Sequence, residues 1–270
     1  MRWTIATALI IAGTCVFGCC PKPPPDATPD EAEHASAAGA LATADARTGP
    51  LSRVLSGIDQ AIAVCEDNIA HADTTAFRAT AAAISADGAA RLVRDSSQGA
   101  LTETRRALDV AIQGRGFFRV RVPGRDGSGF AYTRNGNFFI DDKGGLTLGV
   151  GDGCPLMPPI KLPADSSDIT ITESGVVRFK QPGSTSESDA GQVLLWRFRD
   201  EASLRTIGQT LFAETNASGP AIESGPGSDG AGILVQGFLE ASNVDLARER
   251  IRLRFLDNWR RTLLRTADAE

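Results

Sequence analysis

The chain is poor in the residues that most often mark a catalytic or metal centre. It has only two histidines, His34 and His71, and its cysteines, Cys15, Cys19, Cys20, Cys65 and Cys154, include no C-x-x-C pair. A structural zinc site needs four converging Cys or His ligands at short spacings, and this set does not supply them. No Gly-Lys-Ser/Thr phosphate loop is present, nor any Gly-x-Ser-x-Gly nucleophile elbow. Positive charge is not in excess either: 28 Lys and Arg stand against 33 Asp and Glu, a net charge of −5. That balance argues against a nucleic-acid partner, which requires a clustered basic surface. A run of about 20 apolar residues, enough to span a bilayer, is also missing. No cofactor, metal or small-molecule substrate is expected.

What is present begins with an address. Arg2 precedes an apolar run from Ile5 to Phe17, 13 residues long, which is the length of a signal-peptide core. Its end, Val16-Phe17-Gly18-Cys19, resembles the lipobox of bacterial lipoproteins, in which the cysteine becomes the lipid-modified N-terminus. Phe17 is bulkier than the residue usual there, and a plain cleaved secretory signal is the alternative. Residues 1–18 are thus expected to be a signal peptide and Cys19 the lipidation site. Residues 19–50 carry Pro21, Pro23, Pro24, Pro25 and Pro29, then acidic, Ala and Thr residues, with Leu41 the only large aliphatic side chain. On its own such a stretch buries too little apolar surface to offset its ordering entropy, so a disordered tether is expected. Fully extended, it would reach about 110 Å.

From Leu51 to about Ala72 apolar residues recur at intervals of three and four (Leu51, Val54, Leu55, Ile58, Ile62, Cys65, Ile69), predicting a helix with Cys65 on its buried face. The period changes to two after Leu108. Phe118, Val120 and Val122 alternate with Arg119 and Arg121, as in a half-buried strand. Asn135-Gly136, between two apolar runs, predicts a type I′ hairpin joining strands at residues 130–134 and 138–141. Residues 142–145 turn into a strand at 146–148, and further strands are predicted at residues 169–171, 176–180 and 193–198. Residues 244–264 predict a closing helix, with Leu246, Ile251, Leu253, Phe255, Leu256, Trp259, Leu263 and Leu264 as its apolar positions and arginines around them. Cys154 falls in a Gly/Pro loop; it reads as a free thiol or as the partner of Cys65.

Two stretches, Leu108-Asp-Val-Ala-Ile-Gln-Gly-Arg-Gly-Phe-Phe118 and the segment 230–244 with Gly237, Ser242 and Asn243, resemble the bacterial flagellar basal-body rod and hook proteins, most nearly the distal-rod members. Asn68, Ile69, Ala70, Thr74, Phe77 and Arg78 fit that family's Asn-Asn-Leu-Ala-Asn and Thr-x-Gly-Phe-Lys motifs; Asp67, His71 and Ala76 depart from them. Gly114, Gly116 and Phe117 fit the motif that opens its β domain. The resemblance implies a mainly β fold, an antiparallel β domain enclosed by paired N- and C-terminal α-helices. Its units would be a helix and linker at 51–107, the β domain at 108–242 and a C-terminal helix at 243–270. It also implies an axial structural subunit without enzymatic activity, whose partners are other rod or hook subunits or copies of itself. Leu55, Ile58, Ile62, Ile69, Ile251, Phe255 and Trp259 are then candidates for assembly through the helices.

These residues are compatible with three functions. A lipid-anchored, periplasm-facing component of the flagellar basal body leads. A periplasmic scaffold or binding lipoprotein that reuses the β domain without axial assembly is the alternative, favoured by the departures within the Asn68–Arg78 motif. A cell-wall hydrolase using Asp141, Asp142 or Asp152 is disfavoured, because aspartates normally occupy turns. His71 beside Asp73 reads better as a helix-end histidine than as a catalytic base. An arginine-rich final helix lying on a membrane surface is a further possibility.

Overall fold

The computed structural model describes residues 49–122, 129–149, 153–208 and 210–267. The predicted signal, Cys19 and the tether lie outside them, as do Asp152 and most of the turn expected at 123–129.

Helix α1 (Pro50–Ala70) starts where Gly49 takes an extended conformation and Pro50 fills the first turn, a position that has no intrahelical donor to lose. A hairpin follows, β1 (Thr80–Ile84) and β2 (Ala90–Arg94), within the stretch expected to be a linker. Then come β3 (Leu101–Glu103), β4 (Val110–Gln113), β5 (Phe118–Arg121), β6 (Phe130–Thr133), β7 (Phe138–Ile140), β8 (Leu146–Leu148) and β9 (Cys154–Met157). A three-stranded meander follows, β10 (Ser167–Ile171), β11 (Val176–Lys180) and β12 (Glu187–Gln192). The chain continues through β13 (Leu195–Arg197), β14 (Arg205–Thr206), β15 (Phe212–Ala213), β16 (Ile222–Ser224), β17 (Ile233–Gln236) and β18 (Phe238–Glu240). Helix α2 (Leu246–Ala267) closes it, capped by Asp245, whose carboxylate accepts Arg248 N–H at 3.0 Å. The fold is mainly antiparallel β with two flanking helices, as the resemblance implied.

The predicted Asn135-Gly136 hairpin does not form. In the seven-stranded sheet, ordered β14-β15-β6-β5-β9-β8-β7, strands β6 and β7 are far apart; β6 pairs with β5, and β7 pairs with β8. Residues 134–137 instead cross from one part of the sheet to another. Asn135 turns the chain through its own side chain, accepting Asn137 N–H at 3.0 Å. Gly136 is there because of close approach: a Cβ would lie 1.7 Å from Val110 O. The 142–145 turn does join two paired strands, Ile140 opposite Leu146, with Asp141 accepting N–H from Lys143 and Gly145.

Three apolar clusters hold the molecule together. The largest, with Phe118, Phe138, Leu148, Leu156 and Leu195 at its centre, fills the β domain. A smaller aromatic cluster includes Phe117, Tyr132, Trp196 and Phe212. The third joins the helices: Ile58, Ala61 and Cys65 of α1 against Leu256 of α2 and Ala82 of β1, flanked by Leu253, Trp259 and Leu263. The pair is antiparallel, since Asp59 meets Arg260 at 2.7 Å while the Glu249 carboxylate sits by the Cys65 thiol.

Cys65 is a free, fully buried thiol, as expected from the helix face. Cys154 is not a loop thiol. It lies buried in β9 and is disulfide-bonded, and because Cys65 is free the two are not joined to each other.

Candidate functional site

With no catalytic constellation expected, the candidate site is the helical end of the molecule and the junction that fixes it to the β domain. The junction is built by chain reversal. β4 pairs with β17 (Ile112 opposite Leu234), and β3 pairs with β18 (Leu101 opposite Glu240), so the chain leaves and re-enters the β domain side by side. Both helices are thereby delivered to the same end.

A buried ion cluster locks that point. Glu240 Oε2 accepts from Arg134 Nε at 2.7 Å, and Glu240 Oε1 lies 2.8 Å from Arg78 Nη2. Glu240 Oε1 also accepts Gly99 N–H at 3.0 Å. Arg134 spends its other nitrogens on Gly116 O (2.8 Å) and Ile112 O (2.9 Å), and Arg78 Nη1 donates to Ser97 O. The side chains of Glu240 and Arg134 are 0% and 3% exposed. At that depth a charge is tolerated only when paired and fully hydrogen-bonded, which is what these contacts supply. Burial pulls the Arg78 guanidinium below its usual range, countered by the Glu240 carboxylate. Arg78 was singled out in the sequence through its motif, whereas Glu240 and Arg134 were not. The signal available was a lone carboxylate inside the apolar run of β17 and β18, a poor place for an unpaired charge.

Two asparagines attach the helices. Asn68 is fully buried at the end of α1; its Nδ2 donates to Thr80 O at 2.8 Å and its Oδ1 accepts Thr80 N–H at 3.0 Å. Asn243 does the same before α2. Its Oδ1 accepts Ala79 N–H at 2.7 Å, and its Nδ2 donates to Asp95 O and Ser97 O at 3.1 and 3.0 Å. Ser242 Oγ accepts Val244 N–H. Phe77 is buried and stacks on His71 at 4.7 Å, and the imidazole Nδ1 is 2.8 Å from Asp67 O, the helix-end role expected for it. Gly114 and Gly116 have φ of 109° and 124°, and Gly237 has 76°, all in the region that favours glycine. Phe117 packs edge-on against Phe198 and Phe212. Ala76 departs from the motif at a position with φ of 58°.

The assembly candidates divide into two sets. Ile58 is fully buried between the helices, Leu55, Ile62, Ile69 and Trp259 are half-buried, and none of these five is open enough to face a neighbour freely. Ile251 and Phe255 are 69% and 63% exposed. With Arg248 and Arg252 they form one wall of a shallow groove whose other wall is Ala81, Ala82, Ala83 and Val93. Leu92 on the same hairpin is also exposed. Isolated apolar side chains at a surface are ordinary; here Ile251 and Phe255 lie together along one groove. Among the described residues no group of His, Cys, Asp and Glu could hold a metal ion, and no helix is long and apolar enough to cross a membrane.

Comparison with known proteins matches residues 111–179 to the family described as "Flagellar hook protein FlgE/F/G D1 domain". The chain is 41% identical over 160 residues to the flagellar basal-body rod protein FlgG of Buchnera aphidicola subsp. Acyrthosiphon pisum, covering 59% of this chain and 60% of that one. It is 41% identical over 161 residues to FlgG of Caulobacter vibrioides, 60% of each chain. Against the flagellar basal-body rod protein FlgF of Escherichia coli it is 32% identical over 204 residues, 68% of this chain and 77% of that one. The chain spans about three fifths of the length of the FlgG relatives it matches.

Proposed function

The chain belongs to the family of flagellar rod and hook proteins, and from that premise we propose that it is a structural part of the flagellar basal body or of its periphery, contributing to motility and held to a membrane by a lipid on Cys19. The observation that carries the proposal is the α1–α2 pair with Ile251 and Phe255 turned outward. A helix pair that satisfies its own core and still exposes an apolar face is suited to packing against a neighbour. Burying side chains of this size is worth about 1.5–3 kcal/mol each. The function is packing and not turnover: Asp141 is occupied in its turn, and the buried carboxylate of Glu240 is neutralised by arginines. The partners are other rod or hook subunits or copies of this chain, and the place is the cell envelope, facing the periplasm.

A second reading, a periplasmic scaffold lipoprotein that does not assemble axially, draws support from the fact that the family match at residues 111–179 falls wholly within the β domain. Quantitative immunoblotting of hook–basal bodies purified from the native organism separates the two. Stoichiometric recovery supports the basal-body role; recovery only in the membrane fraction favours the scaffold. The anchor is tested by Cys19→Ser, which should block maturation and free the chain from membranes. Unchanged membrane fractionation of that variant would remove the lipid from the proposal.

A further inference from the structure

Cys65 and Cys154 are both buried, yet their chemistry differs. Cys65 is a free thiol between the helices, whereas Cys154, the first residue of β9, is disulfide-bonded. Its side chain belongs to the main core of the β domain, with Leu148 opposite it on β8 and Leu156 two residues along on the same face of β9. The chain has five cysteines, and the free thiol of Cys65 removes that residue as the partner. Cys15, Cys19 and Cys20 remain, all outside the described residues. We propose that Cys154 is bonded to Cys20, so that a disulfide fastens the mature N-terminus to the β domain.

Two of the three candidates are removed by the chemistry of the N-terminus. Cys15 lies inside the apolar run of the expected signal, and cleavage after Gly18 takes it away. A lipidated Cys19 carries its lipid through a thioether, and a sulfur already bonded to two carbons cannot join a disulfide. Cys20 is then the remaining thiol. The choice of Cys20 rests on the lipid proposed for Cys19; the restriction to three cysteines does not.

Forming the bond takes two protons and two electrons from the Cys20 and Cys154 thiols. A disulfide-carrying oxidoreductase accepts them, its own disulfide opening to two thiols. One cysteine attacks the carrier disulfide to give a mixed disulfide, and the second displaces the carrier. Such a bond persists in an oxidising compartment, which export from the cytosol provides. Cys65 stays out of this exchange for a physical reason. Exchange needs a thiolate, and burial together with the Glu249 carboxylate holds the Cys65 thiol protonated.

The bond changes what a lipid on Cys19 does. Neighbouring Cα atoms are about 3.8 Å apart and a disulfide spans about 4.4–6.8 Å between Cα atoms, so the lipid-bearing residue lies within about 10 Å of Cys154. An anchor connected only through residues 19–50 would let the β domain stand off by up to about 110 Å. With the disulfide closed, the lipid holds the start of β9 at the bilayer surface.

The test is a disulfide map of the full chain, expressed with its own signal and extracted from membranes in detergent. Free thiols are alkylated in denaturant without reductant, and the digest is read by mass spectrometry before and after reduction. The expected result is a Cys20–Cys154 peptide pair that separates on reduction, with lipid mass on the adjoining Cys19 and an alkylated Cys65. Cys20→Ser should abolish the pair and leave Cys154 alkylated as fully as Cys65. The map of the unsubstituted chain decides the question even if that variant folds poorly. Cys154 alkylated in the unsubstituted chain, or joined to a second copy, overturns the pairing and spares the lipid. Cys154 joined to Cys19 or Cys15 overturns both the pairing and the lipid. A Cys20–Cys154 pair beside an unmodified Cys19 supports the bond and removes the lipid from the proposed function.

Discussion

Arg134 and Glu240 are 106 residues apart in the chain, yet Arg134 Nε donates to Glu240 Oε2 at 2.7 Å with both side chains sealed from water. One carboxylate thereby ties the chain just after β6 to the last strand, and through Arg78 to the segment leaving α1. Removing one partner of such a cluster strands the others as uncompensated buried charges. Glu240→Ala is expected to lower unfolding free energy by about 3–5 kcal/mol. Urea denaturation followed by tryptophan fluorescence measures it, and a loss below about 1 kcal/mol would mean that the cluster does not carry the junction.

Ala76 offers the opposite sign. Its φ of 58° places an L-residue in the left-handed region, where the Cβ costs roughly 1–2 kcal/mol. The Ala76 amide donates to Glu240 O at 2.7 Å, so the backbone is held there by the junction itself. Ala76→Gly removes the steric term at a smaller entropic cost, and a gain of about 1 kcal/mol is expected. A destabilised glycine variant in the same denaturation assay would contradict the strain.

The two helix candidates that look alike in sequence should behave differently. Ile58→Asp puts a carboxylate into a fully buried site of the helix-pair core and should melt the pair, seen as lost helical circular dichroism. Phe255→Asp falls on a residue 63% exposed and should change stability by less than about 0.5 kcal/mol. Under the proposed function it should still abolish association with neighbouring subunits. Association unchanged in Phe255→Asp would remove this face from assembly.

Cys65 carries a pH signature. Burial, reinforced by the Glu249 carboxylate, pushes its thiol from an ordinary value of 9.0 up to about 12. In the unfolded chain the thiol ionises first, so the stability it contributes is complete below about pH 9 and is lost as pH rises toward 12. The urea midpoint should therefore fall over that interval more steeply in the native chain than in Cys65→Ala. Thiol reagents at pH 8 should leave Cys65 unmodified until the protein unfolds; rapid labelling of the native state would show that the helix interface opens.

Much of the helical frame was legible because it depends on local spacing. Ile58, Cys65 and Ile69 recur at helical intervals, and α1 follows them; Asp245 lies just before the apolar positions of α2 and caps it. The motif residues were legible as a set, but their work was not. That Asn68 and Asn243 both grip residues 79–80 required seeing a hairpin, β1–β2, whose alanine-rich first strand and largely exposed second strand carry no alternating pattern strong enough to announce it. Asn135-Gly136 misled for a related reason. A two-residue turn signal speaks only for four residues, and the β6 and β7 strands each found better partners elsewhere in the sheet.

By itself, then, the sequence determined where the helices begin and which faces are apolar, and that the middle is β, because those properties reside in periodicity and in residue types at short range. Tertiary structure alone decided which apolar helix positions are spent on the molecule's own core and which stay open. Ile58 and Phe255 belong to equally plausible stripes, and only the antiparallel docking of α1 on α2 and β1 separates a 0% exposed side chain from one that is 63% exposed. The same holds for Glu240. Its pairing with Arg78 and Arg134 joins residues across most of the chain, and contacts of that range are set by strand pairing and not by any local pattern.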